Sequence, residues 1–551
     1  MDHFLTRHTA FYFVIAATIL FALLALTGSL WWLVPTTIFA GLVVLGIVDL
    51  TQSAQAIRHN YPVIGNLRFF FEFIRPSMRQ YFFEDDTQQT PFSRDQRSLV
   101  YRRAKQDVDV RPFGTQEDVY NRNYEWINHS MSPSVITDSD FRIKVGGSEC
   151  KQPVSLSVFN ISAMSFGALS ANAVMALNKG AAMGNFCHDT GEGGISRYHL
   201  EHGGNIIWNI GSGYFGCRDS NGNFDPDLFK EQANRDVVKM IEIKLSQGAK
   251  PGQGGMLPGA KVSADIAEAR GIPIGQDCIS PSSHSAFSTP IELLQFVQQL
   301  RELSNGKPVG FKLCIGHPWE WFAIAKAMLK TGILPDFIVV DGAEGGTGAA
   351  PVEFVNHVGV PLREGLRLVH NTLVGIGLRE HIKIGASGKI VSAFDMARAL
   401  ALGADWCNSA RGFMFAIGCI QAQVCHTDKC PTGVTTQDPK RQKALAVSDK
   451  SIRVMNYHKN TLHALAELLS AAGLQHPDEL RPHHIAKRLP NGNVRVLSAM
   501  FPDLEKGELL QNKFRNTIFK TAWPMARADS FEPLYSLSAA LSGNPQQEIP
   551  E

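Results

Sequence analysis

Three cysteines, Cys419, Cys425 and Cys430, lie within twelve residues in the run GCIQAQVCHTDKCPTG, spaced C-x5-C-x4-C, with a proline directly after the last. Thiolates are soft, charge-dense ligands that suit iron-sulfur clusters, and a Cys-Pro closing a compact cysteine run is a feature of such sites. Burial as small hydrophobes is the alternative use of the same residues. A zinc ion asks for a fourth ligand, and His426, the candidate inside the run, stands directly beside Cys425, which makes joint chelation awkward. Three ligands fit a three-iron cluster better.

The second chemical signal is a series of segments, most of them glycine-rich, at the ends of short apolar runs. In chain order they are AMSFG with Met164 and Ser165, DTGEGG with Thr190 and Glu192, KPGQGG opening at Lys250, and QDCISP opening at Gln276. Lys312 follows, then DGAEGGTG with Gly345 and Gly346, ASGK with Ser387, Gly388 and Lys389, and SARG with Arg411 and Gly412. Glycine lets backbone approach a flat or phosphorylated ligand closely, although any one of these loops can equally be a plain turn. Lys312 is different: it sits mid-run among Phe311, Leu313 and Cys314, and a buried lysine is rare unless paired. Glu192, between glycines, reads either as a turn carboxylate or as a substrate contact. His188, His284 and His426 read as structural rather than as acids or bases.

These loops need a scaffold that gathers them. Apolar, β-branched runs at 153–161, 240–246, 309–315, 337–340, 382–384 and 405–408 predict strands, and the stretches 290–303, 318–330, 363–378 and 392–402 predict helices between the later ones. Strand followed by helix, repeated, implies parallel strands, and about eight such units over roughly 260 residues match a (β/α)8 TIM barrel, an α/β fold. A doubly wound open sheet is the runner-up, but no G-x-G-x-x-G opens a helix after the first strand. In a barrel, function lies in loops at the carboxyl ends of the strands, and the last two sets follow strands seven and eight, where such barrels build phosphate sites.

Ahead of the barrel, residues 9–48 contain no Asp, Glu, Lys or Arg. The stretch is too long for one membrane span and right for two, predicting a transmembrane helical hairpin over 10–28 and 31–49, with Trp31 and Trp32 as interface residues. A secretory signal is the rival reading, but its apolar core is shorter. Arg7 before the hairpin and a run of arginines after it, from Arg58 to Arg103, predict that both ends and the catalytic domain lie on the cytoplasmic side. Residues 66–83 mix aromatics with arginines and read either as an interfacial segment or as one that packs on the soluble domain. The domains expected are a two-helix transmembrane hairpin (1–50), a membrane-proximal connecting region (51–150), the barrel with its cysteine run (151–440) and a helical C-terminal extension (441–551). The 53 basic and 51 acidic residues nearly cancel, which argues against nucleic acid as a partner. Six of the nine cysteines are scattered singly, so a disulfide framework is not expected and a reducing compartment is.

Taken together, SAMSFGALS, TGEGG, GAKPGQGGMLPGAKV, DGAEGGTGA and GCIQAQVCHTDKCPTGV resemble the FMN-binding synthase domain of glutamate synthase, and more closely its short, stand-alone relatives with an N-terminal membrane segment. The resemblance implies FMN at the barrel mouth and a [3Fe-4S] cluster on Cys419, Cys425 and Cys430. It implies phosphate contacts near Ser387, Gly388, Lys389, Arg411 and Gly412, a flavin ring on Met164 and Ser165, and Thr190, Gln276 and Lys312 around it, with Gly345 and Gly346 also against the cofactor. Lys312 is then expected to favour the anionic reduced flavin. The family's 2-oxoglutarate pocket carries over to Lys250, Glu192 and Arg270, but its glutamine is Met256 here. The glutaminase domain and the C-terminal β-helical domain have no counterpart in this sequence.

The expected activity is oxidoreduction at the CH-NH2 group of an amino acid: reductive amination of a 2-oxo acid such as 2-oxoglutarate, or the reverse, with Lys312 and Glu192 as catalytic residues. A ferredoxin, a partner subunit or a quinone-linked protein would exchange the electrons. The alternative is an electron-transfer or scaffold subunit that keeps FMN and cluster without a substrate of its own. Another FMN or nucleotide barrel, such as a hydroxy-acid oxidase, is a weaker option because it has no use for the three cysteines.

Overall fold

Apolar residues fill every face of the first two helices, Thr9–Thr27 and Leu33–Thr51, which lie against each other as a hairpin close to the expected bounds. Gly28 and Ser29 break the run, and the Ser29 hydroxyl accepts the Trp31 N–H at 3.4 Å to start the short turn Leu30–Trp32. By length and composition, both helices can cross a membrane, a test that a signal sequence near an N-terminus also passes. The computed structural model describes residues 7–87, 91–514 and 516–536, so the last part of the expected C-terminal extension lies outside the described residues. The chain divides after Arg94 into two units: one holds the hairpin and the helix Gly65–Met78, the other everything that follows.

The second unit is built on a closed barrel of eight parallel strands: β1 (Phe159–Ile161), β2 (His188–Asp189), β3 (Ile206–Ile210), β4 (Val238–Lys244), β5 (Val309–Leu313), β6 (Phe337–Asp341), β7 (Lys383–Ser387) and β8 (Trp406–Ser409). Each pairs with its neighbours in sequence, and β8 closes on β1 through Cys407 opposite Phe159. The intervening helices start where the sequence supplies caps. Thr289 and Glu292 form a reciprocal capping box ahead of Pro290–Leu303, and Ser392 with Asp395 does the same for Ala393–Ala401. One end of the barrel is plugged by an antiparallel hairpin, Arg142–Val145 with Val154–Ser157, whose Val145 and Leu156 pack into a core with Ile207, Met240, Phe337 and Trp406.

Three expectations about strands need correction. The run at 153–161 is two strands split at Val158, because its first half pairs with Arg142–Val145 and only its second half joins the barrel. Lys250 does not follow the third strand. That strand is Ile206–Ile210, a fully buried run without alternation, which therefore gives no period-2 signal. Gln276 does not end a strand of its own: it lies in the same long connection after β4 as Lys250, beside a small ladder that pairs Met256–Leu257 with Cys278–Ile279.

The C-terminal extension is helical in its main element, Val447–Ala471, which packs on Ala171–Gly184 where a Cβ at Gly180 would meet Val454 at 2.4 Å. It also carries two short strands, Ile485–Arg488 and Val494–Val496, and the first pairs with Glu125–Ile127 from before the barrel. Glu125 is buried there among Arg363, Arg398 at 3.0 Å and Lys487 at 3.5 Å. Burial works to raise its pKa, and these cations more than reverse it, leaving the carboxyl below its ordinary range.

Candidate active site

Successive side chains on a strand point to opposite faces, so Met240, Glu242 and Lys244 on β4 share the inner one. Met240 belongs to the apolar floor. One layer above it, Glu242 Oε1 lies 3.2 Å from Lys312 Nζ of β5 and accepts the Asn209 amide of β3 at 2.5 Å. Lys312 is buried, as expected for a lysine inside an apolar strand. Burial pulls its pKa down, yet Glu242, Asp189 and Asp341 outweigh burial and hold it above its usual value, so it stays charged. Asp189 of β2 is pushed the other way: burial first and Glu242 second raise its pKa far above a normal carboxyl. Its Oδ1 accepts the Gly191 N–H at 2.9 Å, while Asp189 Oδ2, Glu242 Oε2 and Asn209 Oδ1 have no protein partner. Buried polar atoms left open in this way fit a site completed by a ligand or water.

At the mouth, Glu192 pairs with Lys244 at 2.8 Å. Burial tends to raise the Glu192 pKa, but Lys244, Arg270 and Lys250 together lower it, so the carboxylate is ionised. Two glycines make room for it: a Cβ at Gly211 would lie 2.8 Å from Oε2, and one at Gly255 would lie 2.7 Å from Oε1. Lys250 is buried, and burial lowers its pKa. Arg270 donates to the Phe166 carbonyl at 3.2 Å and lies 5.0 Å over the Phe215 ring, with Nε unpartnered. Three cations thus surround one carboxylate, and the surplus positive charge suits an anionic ligand. Met256, by contrast, is 58 % exposed on its short ladder.

On the far side of the mouth, Ser387 of β7 and Ser162, just past β1, meet hydroxyl to hydroxyl at 3.2 Å. Gly388 and Lys389 follow with φ of +152° and +49°, a turn that only glycine enters easily at its first position. Arg411 reaches the glycine-rich loop after β6, where a Cβ at Gly346 would sit 2.9 Å from its guanidinium, and Gly345 precedes it. Gly412 is buried against Tyr457. Met164 and Ser165 form the lip between β1 and β2: a Cβ at Gly191 would lie 2.5 Å from the Ser165 nitrogen. Thr190 is buried, its hydroxyl donating to the Gly191 carbonyl at 3.0 Å and accepting the Asn209 N–H at 3.1 Å. The structure therefore gathers all the expected cofactor residues at the strand ends except Gln276, which is exposed in the connection after β4.

All nine cysteines are free thiols. Among the described residues no three His, Cys, Asp or Glu side chains converge as a single metal ion requires. A three-iron cluster sets another condition, because each thiolate binds its own iron and the sulfurs stand around the cluster. Burial pushes Cys419 up to about 11, and Cys425 and Cys430 act on it in the same direction, which places the three within one another's field. Buried Lys261 reaches the same segment, donating to the carbonyls of Cys425 at 3.0 Å and Thr435 at 3.2 Å. The Thr432 hydroxyl is 3.5 Å from Cys430 Sγ, and the loop after β6 comes close, with a Cβ at Gly348 placed 3.6 Å from Cys425. The cysteine run thus lies against Lys261 and the loop after β6.

Residues 116–475 match the family model described as the conserved region in glutamate synthase. The chain belongs to the glutamate synthase family. Glutamate synthase relatives are oxidoreductases acting on CH-NH2 donors, and this chain is an enzyme of that class. It is 38 % identical over 501 residues to the glutamate synthase large subunit-like protein YerD of Bacillus subtilis, covering 84 % of this chain and 94 % of that one. It is also 38 % identical over 322 residues to the archaeal glutamate synthase [NADPH] of Methanocaldococcus jannaschii, 58 % of this chain and 60 % of the relative. The glutamate synthase [NADPH] large chain of B. subtilis matches at 32 % over 335 residues, only 20 % of its length.

Several side chains of this site escape a reading of the glutamate synthase motifs. Lys244, Glu242, Asp189 and Asn209 all point inward, and Lys261 supports the cysteine run. A signal was there for one of them: Glu242 stands between Ile241 and Ile243 in the middle of its strand.

Proposed function

We propose that this glutamate synthase family member is a membrane-anchored oxidoreductase that uses FMN and a [3Fe-4S] cluster to aminate a 2-oxo acid reductively, or to run the reverse reaction on an amino acid. The observation that carries the reading is the cluster of Lys244, Lys250 and Arg270 around Glu192, directly above buried, charged Lys312. Bound FMN would supply hydride chemistry, and a cluster on Cys419, Cys425 and Cys430 would supply single-electron exchange with a ferredoxin, a partner subunit or a quinone-linked protein. The chain's own residues do the rest. Lys250 and Arg270 bind substrate carboxylates through charge-assisted hydrogen bonds. Glu192, ionised and held by Lys244, faces the amine-bearing carbon and accepts its N–H. With FMN bound, Lys312 would set positive charge near the ring, while Ser387, Gly388, Lys389, Arg411 and Gly412 would hold the phosphate and Met164, Ser165 and Thr190 would support the ring. The hairpin spans the bilayer twice, and the arginines around it put the catalytic unit on the cytoplasmic side.

The second reading, an electron-transfer subunit without a substrate, draws on Met256, which stands exposed where the family has a glutamine. One experiment separates the two. Flavin, iron and sulfide are measured on the purified full-length protein, and 2-oxo acids and amino acids are then titrated against the flavin absorbance. One FMN, about three irons and a saturable perturbation support the enzyme. Cofactors without any perturbation at millimolar concentrations support the electron-transfer subunit, and flavin without iron removes the cluster from both.

A further inference from the structure

Within the first unit, the end of the hairpin is latched to the helix that follows it. Asp49, the single charged residue between Thr9 and Thr51, is buried and accepts the Val63 N–H at 2.9 Å and the Asn66 side-chain amide at 2.6 Å. At the same end Arg7 donates to Asn60 at 3.1 Å, and Gly46 lets the Phe11 ring and Val63 close over the second helix. The helix Gly65–Met78 is therefore held at the open end of the hairpin rather than left on a free linker.

That helix has two faces. Ile64, Leu67, Phe70, Phe71, Ile74 and Met78 recur at three- and four-residue spacing and form one stripe along about 21 Å of helix. Leu67, Phe70 and Phe71 are 52 %, 53 % and 60 % exposed, a run of large apolar surface that the described residues of the first unit leave uncovered. A charged stripe runs beside it: Arg68 pairs with Glu72 at 2.9 Å, and Arg75 and Arg79 continue it, with Phe73, 82 % exposed, beyond them. Between residues 52 and 83 four arginines stand against that one glutamate. Beyond the helix, Phe82 and Phe83 are 74 % and 75 % exposed.

We propose that residues 64–83 lie in the membrane interface, with the Leu67, Phe70 and Phe71 stripe in the acyl boundary and the arginine stripe facing anionic headgroups and water. The occupant of this surface is the lipid of the leaflet next to the hairpin's open end. A basic, amphipathic helix with an aromatic apolar face has the chemistry of an interfacial helix, and the Asp49 latch makes it continuous with the apolar surface of the hairpin. This inference rests on the reading that the hairpin spans a bilayer, and the test keeps the two apart.

The photoreactive residue benzoylphenylalanine is placed singly at Val44, Phe71 or Glu72 of the full-length protein in vesicles of phosphatidylcholine and phosphatidylglycerol, and lipid adducts are read by mass after illumination. Adducts at Val44 and Phe71, with Phe71 exceeding Glu72 by at least about fivefold, are expected for a helix lying flat. Adducts at Val44 with none at Phe71, or with equal yields at Phe71 and Glu72, overturn the interfacial helix and leave the hairpin in place. No lipid adduct at Val44 overturns the anchoring, and the helix proposal with it.

Discussion

Replacing Lys312 by methionine keeps the length of the side chain and removes its charge, leaving Glu242 and Asp189 to share the barrel interior without a cation. Removing one partner of a buried pair costs about 3–5 kcal/mol, because the other charge stays desolvated. The unit from Asp95 to Glu551 is large, and its unfolding entropy is on the order of 1 kcal/mol/K, so the expected fall in thermal midpoint is only about 3–5 °C. One control makes that small shift diagnostic. Lys312→Met combined with Glu242→Gln should recover most of the loss, since the double variant holds no unpaired charge at that position. Circular dichroism on matched samples, with flavin content measured on each, reads both. A single variant that loses less than about 1 °C, or a double variant no better than the single, would refute the pairing of Lys312 with Glu242.

Three further outcomes are expected. Cys425→Ser should abolish iron binding and the three-iron EPR signal while flavin remains, and unchanged iron content would sink the ligand assignment. Lys250→Met should weaken 2-oxo acid binding about 10- to 100-fold, the value of one charge-assisted hydrogen bond, read from flavin absorbance titrations; unaltered affinity removes Lys250 from the pocket. Stability should fall as the pH drops from about 6.5 toward 5. Burial lowers the pKa values of His199, His370 and His458 to about 3 and of His284 to about 4, and that of His188 well below normal. In that window the unfolded chain binds protons that the folded chain refuses, at up to about 1.4 kcal/mol per pH unit for each histidine. Asp189, Glu320 and Glu344, whose pKa values are raised, pull the other way but are fewer. A midpoint that stays level or rises between pH 6.5 and 5 would contradict this balance.

How legible the molecule was depended on local contrast. The strands β5 to β8 announce themselves because β-branched runs end in glycine and precede helices such as Ala393–Ala401, capped by Ser392 and predicted over 392–402. Neither β2 nor β3 does so: β2 is two residues long, and β3 is apolar around Asn209 with no alternation to betray it. The same contrast decides the site. Lys312 stands out between phenylalanine and leucine, whereas Lys244 ends its strand just before a polar loop and reads as a solvated end. Only pairing β4 beside β5, with Lys244 opposite Lys312, reveals that both point into the barrel. Gln276 was misplaced because the connection after β4 imitates a strand end without supplying a barrel strand.

The strand Glu125–Ile127 has consequences for how this chain is made. Its partner Ile485–Arg488 is translated some 360 residues later, and the cations that neutralise Glu125 are spread over the same interval. By the time the barrel strands have left the ribosome, the N-terminal hairpin has long emerged, but the segment joining the two still has no mate. Contacts this distant in sequence slow folding and prolong the life of incomplete forms. Glu125 and the strand that carries it are therefore a clasp that closes last, and a nascent chain that stalls before residue 485 is left with an open edge and an unmet charge for the cell's quality control to recognise.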